Sequence, residues 1–457
     1  MFRRIHFGRV HLRRISLGIT VPKKAYLAAG LLLRLFLAPF LSHPFDMKVF
    51  MAVGIAVSRG ITPYGQYVLQ DLFVTMPHPN LYGVSLGIGY PPLWGLMCGM
   101  AYEISSFLAP NNLYAYVLAL KIPIIIGELA LAVLVYNILR KQTNERIATA
   151  TYLLFIFCPF ILAVGTIWGM FDVIALLFAL LAAYGLLSDW KLSAIFLAVS
   201  SLLKVFPLIL VPLYSIMLYR AMRRWKPAVG YAGFTVGLTA LFTFLPMLVF
   251  SWPISNLYNA LTYQVTTTEA TYNSLAGFPY GAASPFNLFS LVSNLSNGAV
   301  QPPSALVYLW IPACIEIYLT LWRAPAKPDV QAFGASKNFA WIVQWSLLLL
   351  LMFFTTRVWV SEQNLIFLFA FFTLSIFLQH PQELDRVQLL WLLLFIFVLV
   401  HVPMVSFFWI PVPWTLTAAS SFADGPFGWT RLLLMTILTF GWLALCWHYS
   451  MKKLRWH

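Results

Sequence analysis

The chain has 457 residues, 61% hydrophobic and 9% charged, with a mean hydropathy of +0.82. A soluble domain carries about 25% charged residues, so the composition excludes a soluble enzyme and describes a polytopic membrane protein. The formal net charge of +15 does not point to nucleic acid, because the basic residues flank apolar runs as the positive-inside rule requires.

In chain order, Arg3, Arg4, Arg9, Arg13, Arg14, Lys23 and Lys24 precede the apolar run 25–42. That run lacks a small-residue cleavage site and reads as a retained signal-anchor. Further runs near the ~20 residues a span needs are 113–139, 147–165, 171–188, 228–250, 304–323, 339–356, 362–380, 388–408 and 430–449. Segments 92–109 and 191–220 are ambiguous, and charge parity decides between their readings. If 92–109 crosses and 191–220 is one span, Arg140, Lys141 and Arg146 fall outside, against the charge rule. If 92–109 lies in the interface and 191–220 is two half-spans broken at Lys204-Val205-Phe206-Pro207, every strong basic cluster becomes cytoplasmic. Those clusters are the N-terminus, 140–146, 220–226, 323–337 and 452–455. The small or polar residues Gly95, Gly99, Tyr102, Glu103 and Ser106 recur at helical spacing and predict a polar face on 92–109.

The expected architecture is all-α, with about twelve spans and interfacial helices in the first outer loop. Both termini are expected in the cytoplasm of a cell-membrane or endoplasmic-reticulum protein. The outer loops are then 43–112 and 251–303, with shorter ones at 357–361 and 409–429. The whole of 1–457 reads as one membrane domain, with a first module at 1–222 and a more variable second module at 223–457. Cys98, Cys158, Cys314 and Cys446 are isolated and predict neither a disulfide framework nor a metal cluster.

This topology gathers the polar residues on the outer side. Asp46, in His43-Pro44-Phe45-Asp46, reads either as a helix cap or as a general base at the membrane surface. Lys48 and Arg59 are its nearby charges in sequence. Asp172 closes the turn Gly165-Thr166-Ile167-Trp168-Gly169-Met170-Phe171-Asp172, where a cap is the plainer role. Lys204 at a helix break reads as a snorkelling side chain or as a phosphate ligand. Arg357 has the fork suited to phosphate oxygens, and its plainer reading is a pair with Glu362. Loop 251–303 offers Tyr258, Tyr263, Gln264, Tyr272, Asn273, Tyr280 and Asn287, residues suited to a polar ligand and equally common in loops. Lys121, Glu128 and Glu316 within spans have no role assignable from sequence.

The order of these pieces resembles a known family. An Asp follows the first span, then come Gly60-Ile61-Thr62-Pro63-Tyr64, Tyr90-Pro91-Pro92-Leu93, the Gly/Trp turn ending at Asp172, and Lys204 to Pro207. This resembles the GT-C superfamily of polyprenyl-phosphate-sugar-dependent glycosyltransferases. Within it, the chain looks like the polyprenol-phosphate-mannose-dependent mannosyltransferases of family GT87 (DUF2029-like) and, more distantly, GPI mannosyltransferase I. Ser361-Glu362-Gln363-Asn364 is similar to their Ser/Glu-Gln-Tyr segment, with Asn in place of Tyr. The resemblance implies inverting transfer of a sugar, mannose by family, from a polyprenyl phosphate to a glycan, lipid or protein acceptor outside the cytoplasm. Asp46 would be the base, Lys204 and Arg357 would bind the donor phosphate, and Tyr64, Tyr90, Asp172, Glu362 and Gln363 would contact substrates. Asp46 lacks the second Asp of an Asp-x-Asp pair, so no cofactor is implied and a divalent metal stays open. Trp168-Gly169-Met170-Phe171-Asp172 departs from the family's Gly-Gln-x-Asp turn. The competing expectation is a transporter or flippase of lipid-linked saccharides, and a third is a noncatalytic membrane subunit.

Overall fold

A computed structural model describes residues 23–266, 282–296, 303–324, 335–379, 383–424 and 428–454. Among these the chain is nearly all helical. The strands Gln66–Val68 and Val84–Leu86 form one antiparallel pair, with Tyr67 opposite Ser85. Helices satisfy every backbone polar group within the segment, which hydrocarbon surroundings demand. Eight helices are long and apolar enough to cross a membrane. They are Leu113–Gln142, Glu145–Ile167, Trp225–Val249, Ala305–Arg323, Phe339–Thr356, Glu362–Gln379, Leu384–His401 and Thr430–Met451. The protein is thus an all-α, integral, multi-pass membrane protein. Glu362–Gln379 is 83% buried and lies at the centre, whereas Trp225–Val249 and Ala305–Arg323 are each 22% buried and peripheral.

The ambiguous run 191–220 is divided. One helix spans Trp190–Leu203, Lys204 is extended (φ −135°, ψ 132°), a tight 3₁₀ turn covers Phe206–Ile209, and a second helix runs Leu210–Met222. Pro207 has no N–H to continue a helix, which fits a stop here. The apolar run 25–42 forms a helix of only 14 residues, Lys24–Leu37.

Two expectations for the first outer loop change. The segment 92–109 is one helix, Pro92–Leu108, in which the two glycines of the expected polar face pack inward while Glu103 is exposed and Tyr102 and Ser106 are half-buried. Gly95 packs against Pro63 and Ile88 and Gly99 against Val57, while Met100, Ile104, Phe107 and Leu108 are exposed. Small residues here permit close packing of helices, and the outward side is largely apolar. The second change is Pro44–Ser58, which is buried from Val49 to Val57. A helix apolar all round belongs in a core, so this one sits inside the protein rather than at an interface.

Buried charges fix the first half of the chain. Arg34, fully buried, pairs with Glu128, and Glu128 also accepts from the Thr166 amide and hydroxyl, both at 2.8 Å. Lys121 donates to the carbonyls of Leu41 and Ile167. These contacts give Glu128 and Lys121 structural roles, and Glu316 accepts from Thr320 one turn on. Breaking such a buried pair by removing one partner costs about 3–5 kcal/mol.

Several chain segments meet at one end of the bundle. The Ser42 amide donates to Phe407 O at 2.9 Å, the His43 amide to Trp168 O at 3.0 Å, and the Ala283 amide to Val360 O at 2.8 Å. Elsewhere Arg220 donates to the carbonyls of Leu321 and Ala324, which brings two basic helix ends together.

Candidate functional site

Asp46 sits in the first turn of the Pro44–Ser58 helix, with its side chain 19% exposed. Pro44 supplies the preset φ favoured at a helix start, and His43 is the cap. His43 Nδ1 lies 2.9 Å from Asp46 Oδ2 and 3.2 Å from the Asp46 amide. A protonated ring donates to the carboxylate, and a neutral ring accepts from the amide. Trp168 Nε1 donates to the same Oδ2 at 2.7 Å. The His43 ring stacks on the Trp168 indole, with centroids 4.2 Å apart and planes 13° apart. Burial on its own would raise the Asp46 carboxyl. The charge and hydrogen bond of His43, the Trp168 N–H and the charge of Lys204 outweigh it and hold Asp46 below its ordinary 3.8.

The turn that presents Trp168 is built for that purpose. Residues Ala163–Ile167 form a π-helical turn, a local widening that recurs at functional sites. A Cβ on Gly165 would lie 1.7 Å from Glu128 Oε1, so only glycine leaves room for the carboxylate that pins this turn. Gly169 has φ +97°, and a Cβ there would meet Met47 at 2.5 Å. The turn therefore requires both glycines.

Asp172 and Lys204 form the second part. Lys204 Nζ lies 3.1 Å from Asp172 Oδ2, and Asp172 is fully buried. The ammonium also sits 4.1 Å from the Tyr90 ring centroid and 4.8 Å from that of Phe171. Such faces attract cations. Phe171 in turn stacks on Trp94 at 4.2 Å. Tyr64 donates its hydroxyl to Tyr90 O at 3.0 Å and fixes the loop that carries Tyr90.

Two cavities meet at these residues. The larger, about 870 Å³, is lined by His43, Asp46, Lys48, Tyr64, Gln66 and His401, among others. The smaller, about 310 Å³, is lined by Lys204 and Arg357 and walled by Phe206, Leu208, Trp310 and Phe353. Gly89 and Tyr90 line both. Arg357 lies over the Phe353 ring at 5.3 Å.

The sequence-predicted residues sort as follows. Asp46, Tyr64 and Tyr90 reach the large cavity, and Tyr90, Lys204 and Arg357 reach the small one. Asp172 reaches neither. It stands behind Lys204 as its counter-ion, which corrects its expected contact with substrate. Glu362 and Gln363 also line neither cavity. Glu362 is buried against His401, with Oε1 2.7 Å from Nδ1, so it is the partner of His401 rather than of Arg357. Asp46 takes His43 and Trp168 as partners in place of Lys48 and Arg59. Arg59 is exposed at the far end of the helix. In the segment 251–303, expected as an outer loop, Asn287 is buried and donates to Leu432 O and Thr436 Oγ1, which is structural work, while Tyr258 is exposed. Tyr272, Asn273 and Tyr280 lie outside the described residues, as do the side chains of Tyr263 and Gln264. The sequence reading missed Trp168 and His401 as site residues. The Gly165–Gly169 turn was a signal for the former, and nothing local marks the latter. Among the described residues no three His, Cys, Asp or Glu side chains gather as a metal-binding group. No protein-family model and no curated protein matches the chain.

Proposed function

We propose that this protein is a GT-C-type inverting glycosyltransferase. It would move a sugar, mannose by resemblance, from a polyprenyl phosphate to a glycan, lipid or protein acceptor on the extracytoplasmic side. About twelve spans, counting the eight long helices, the short first helix, Asp172–Gly185 and the two helices of 191–220, would put both termini in the cytoplasm and the site outside. One observation carries the reading. A carboxylate lines one cavity, two cations line the adjoining one, and Gly89-Tyr90 is their common wall.

The chemistry follows from that arrangement. The donor phosphate lies against Lys204 and Arg357, with its polyprenyl chain along Phe206, Leu208, Trp310 and Phe353. The acceptor occupies the large cavity with a hydroxyl at Asp46. The hydroxyl oxygen attacks the anomeric carbon from the face opposite the phosphate, and the bond from that carbon to the phosphate oxygen breaks. The acceptor proton passes to Asp46. Lys204 and Arg357 stabilise the negative charge growing on the departing polyprenyl phosphate. Asp172 keeps Lys204 charged and in place. Trp168 and His43 aim Asp46 and keep it ionised at neutral pH.

The test is direct. Purified protein in nanodiscs is given polyprenyl-phosphate-[³H]mannose and a mannoside acceptor. Release of polyprenyl phosphate with formation of an inverted glycoside is expected. Full activity in Asp46→Asn would remove Asp46 as the base.

A further inference from the structure

The large cavity holds a cation for which the transfer chemistry has no use. Lys48 lies on the same helix as Asp46, two residues on, and lines the same cavity. Its ammonium rests between two aromatic faces, 5.4 Å from the Trp409 ring centroid and 6.0 Å from that of Tyr82. Among the described residues no hydrogen bond or ion pair engages it. The cradle is fixed in place. His78 Nε2 lies 3.0 Å from Ile410 O, Asn80 donates to Pro413 O at 2.9 Å, and His78 meets the Trp409 ring edge-on at 5.4 Å. The aromatic faces thus hold a cation whose three N–H donors remain free for a ligand.

We infer that Lys48 is an anion-binding subsite of the acceptor pocket, and that the acceptor carries a phosphate or carboxylate close to the hydroxyl that is glycosylated. This rests on the glycosyl-transfer reading. An anionic acceptor approaching ionised Asp46 would be repelled, and Lys48 supplies the compensating charge inside the same cavity. Neutral partners for sugar hydroxyls line the same cavity in Gln66, Ser85, Asn256 and Asn259. Burial lowers the Lys48 amine to about 8, which keeps it mainly cationic at neutral pH and leaves it reactive just above.

Amine acylation tests the site without needing turnover. The protein in phosphatidylcholine nanodiscs is treated near pH 8 with an acetyl N-hydroxysuccinimide ester, and the Lys48 peptide is followed by mass spectrometry. Mannose 6-phosphate or glucuronate is expected to slow acylation of Lys48 about tenfold when present well above its Kd, and methyl mannoside is expected to leave it unchanged. No protection by either anion overturns the inference. Protection by phosphatidylglycerol in the nanodisc, with no added sugar, assigns the anion to a lipid headgroup and overturns the acceptor assignment. In the transfer assay, Lys48→Met should lower the preference for a phosphorylated over a neutral mannoside acceptor by about tenfold, which is ~1.4 kcal/mol, and Lys48→Arg should keep it. An equal loss on both acceptors would mean that Lys48 only serves Asp46, and would overturn the inference. Protection of Lys48 with no transfer from wild-type protein would instead defeat the transferase reading and leave the anion site standing.

Discussion

The two cavities differ in charge and in wall. The larger carries a carboxylate, polar side chains and one lysine cradled by aromatic rings. The smaller carries two cations in an aromatic and aliphatic wall. Gly89 and Tyr90 line both, and the Tyr90 ring also faces the Lys204 ammonium. The contrast shows how a protein with only 9% charged residues can keep opposite charges apart. Asp46 is steadied by the Trp168 indole N–H and a histidine on its own side, and Lys204 by Asp172 behind it. Each charge has its contact partner on its own side and feels the other only as a longer-range attraction, so each is left facing its own cavity.

The largest expected effect comes from removing the charge on one side only. Asp46→Asn keeps an oxygen that can accept from Trp168 but has no basicity. Transfer should fall by about 10²–10⁴-fold, the usual contribution of a general base, with thermal stability nearly unchanged. Equal loss of both activity and folding would mean that Asp46 chiefly fixes the helix start against His43 and Trp168, and the carboxylate side of the comparison would collapse.

Next is Lys204→Met, which strips one cation from the other side and leaves Asp172 buried without its partner. Folding should weaken by about 3–5 kcal/mol. The double variant Lys204→Met with Asp172→Asn should recover most of that stability while remaining unable to use the lipid-phosphate donor. Donor KM, measured beside the melting temperature, separates the two effects. A double variant with normal donor KM would leave the small cavity without a phosphate role.

Which parts of this arrangement were readable in the sequence depends on distance along the chain. The break at Lys204 was legible because Lys, Pro207 and an overlong apolar run are all local signals. Asp46 was legible from its place after the first apolar run. Its donor Trp168 was not, since the two are 122 residues apart and nothing in either segment names the other. The same holds for Arg34 and Glu128, 94 residues apart. A single charge inside an apolar run scarcely alters hydropathy, so Arg34 passed as part of a span. Glu362 misled for a related reason. Its neighbour in sequence is Arg357, but the helix Leu384–His401 brings His401 to it instead. The small face of Pro92–Leu108 misled because glycine spacing marks close packing as readily as polarity.

Glu128→Gln probes the frame behind the carboxylate side. It keeps one oxygen to accept from the Thr166 amide, but puts an NH2 donor where Oε2 accepts from the Thr166 hydroxyl and pairs with Arg34. The fold should weaken by about 3 kcal/mol or more. The π-helical turn carrying Trp168 should loosen, and hydrogen exchange across 163–169 reads that loosening. Unchanged exchange there would separate the Arg34–Glu128 pair from the site and confine it to stability.

The smallest effect is the most specific. Trp168→Phe retains a ring to stack on His43 but deletes the N–H that reaches Asp46 Oδ2 at 2.7 Å. A hydrogen bond to a charged group contributes about 1.5–3 kcal/mol, and its loss lets the Asp46 carboxyl rise from its depressed value. The ionised form is the active one, so activity is lost as pH falls through the pKa of Asp46. In the wild type that loss is displaced to lower pH than for an ordinary carboxylate, and in the variant it begins at higher pH. At neutral pH Asp46 stays ionised in both, so the difference there is confined to aim, about a few-fold. The ratio of wild-type to variant rate should therefore grow as pH falls from neutral toward 4. A constant ratio across that range would mean that the indole only positions the carboxylate, and that its ionisation is set by His43 and Lys204 instead.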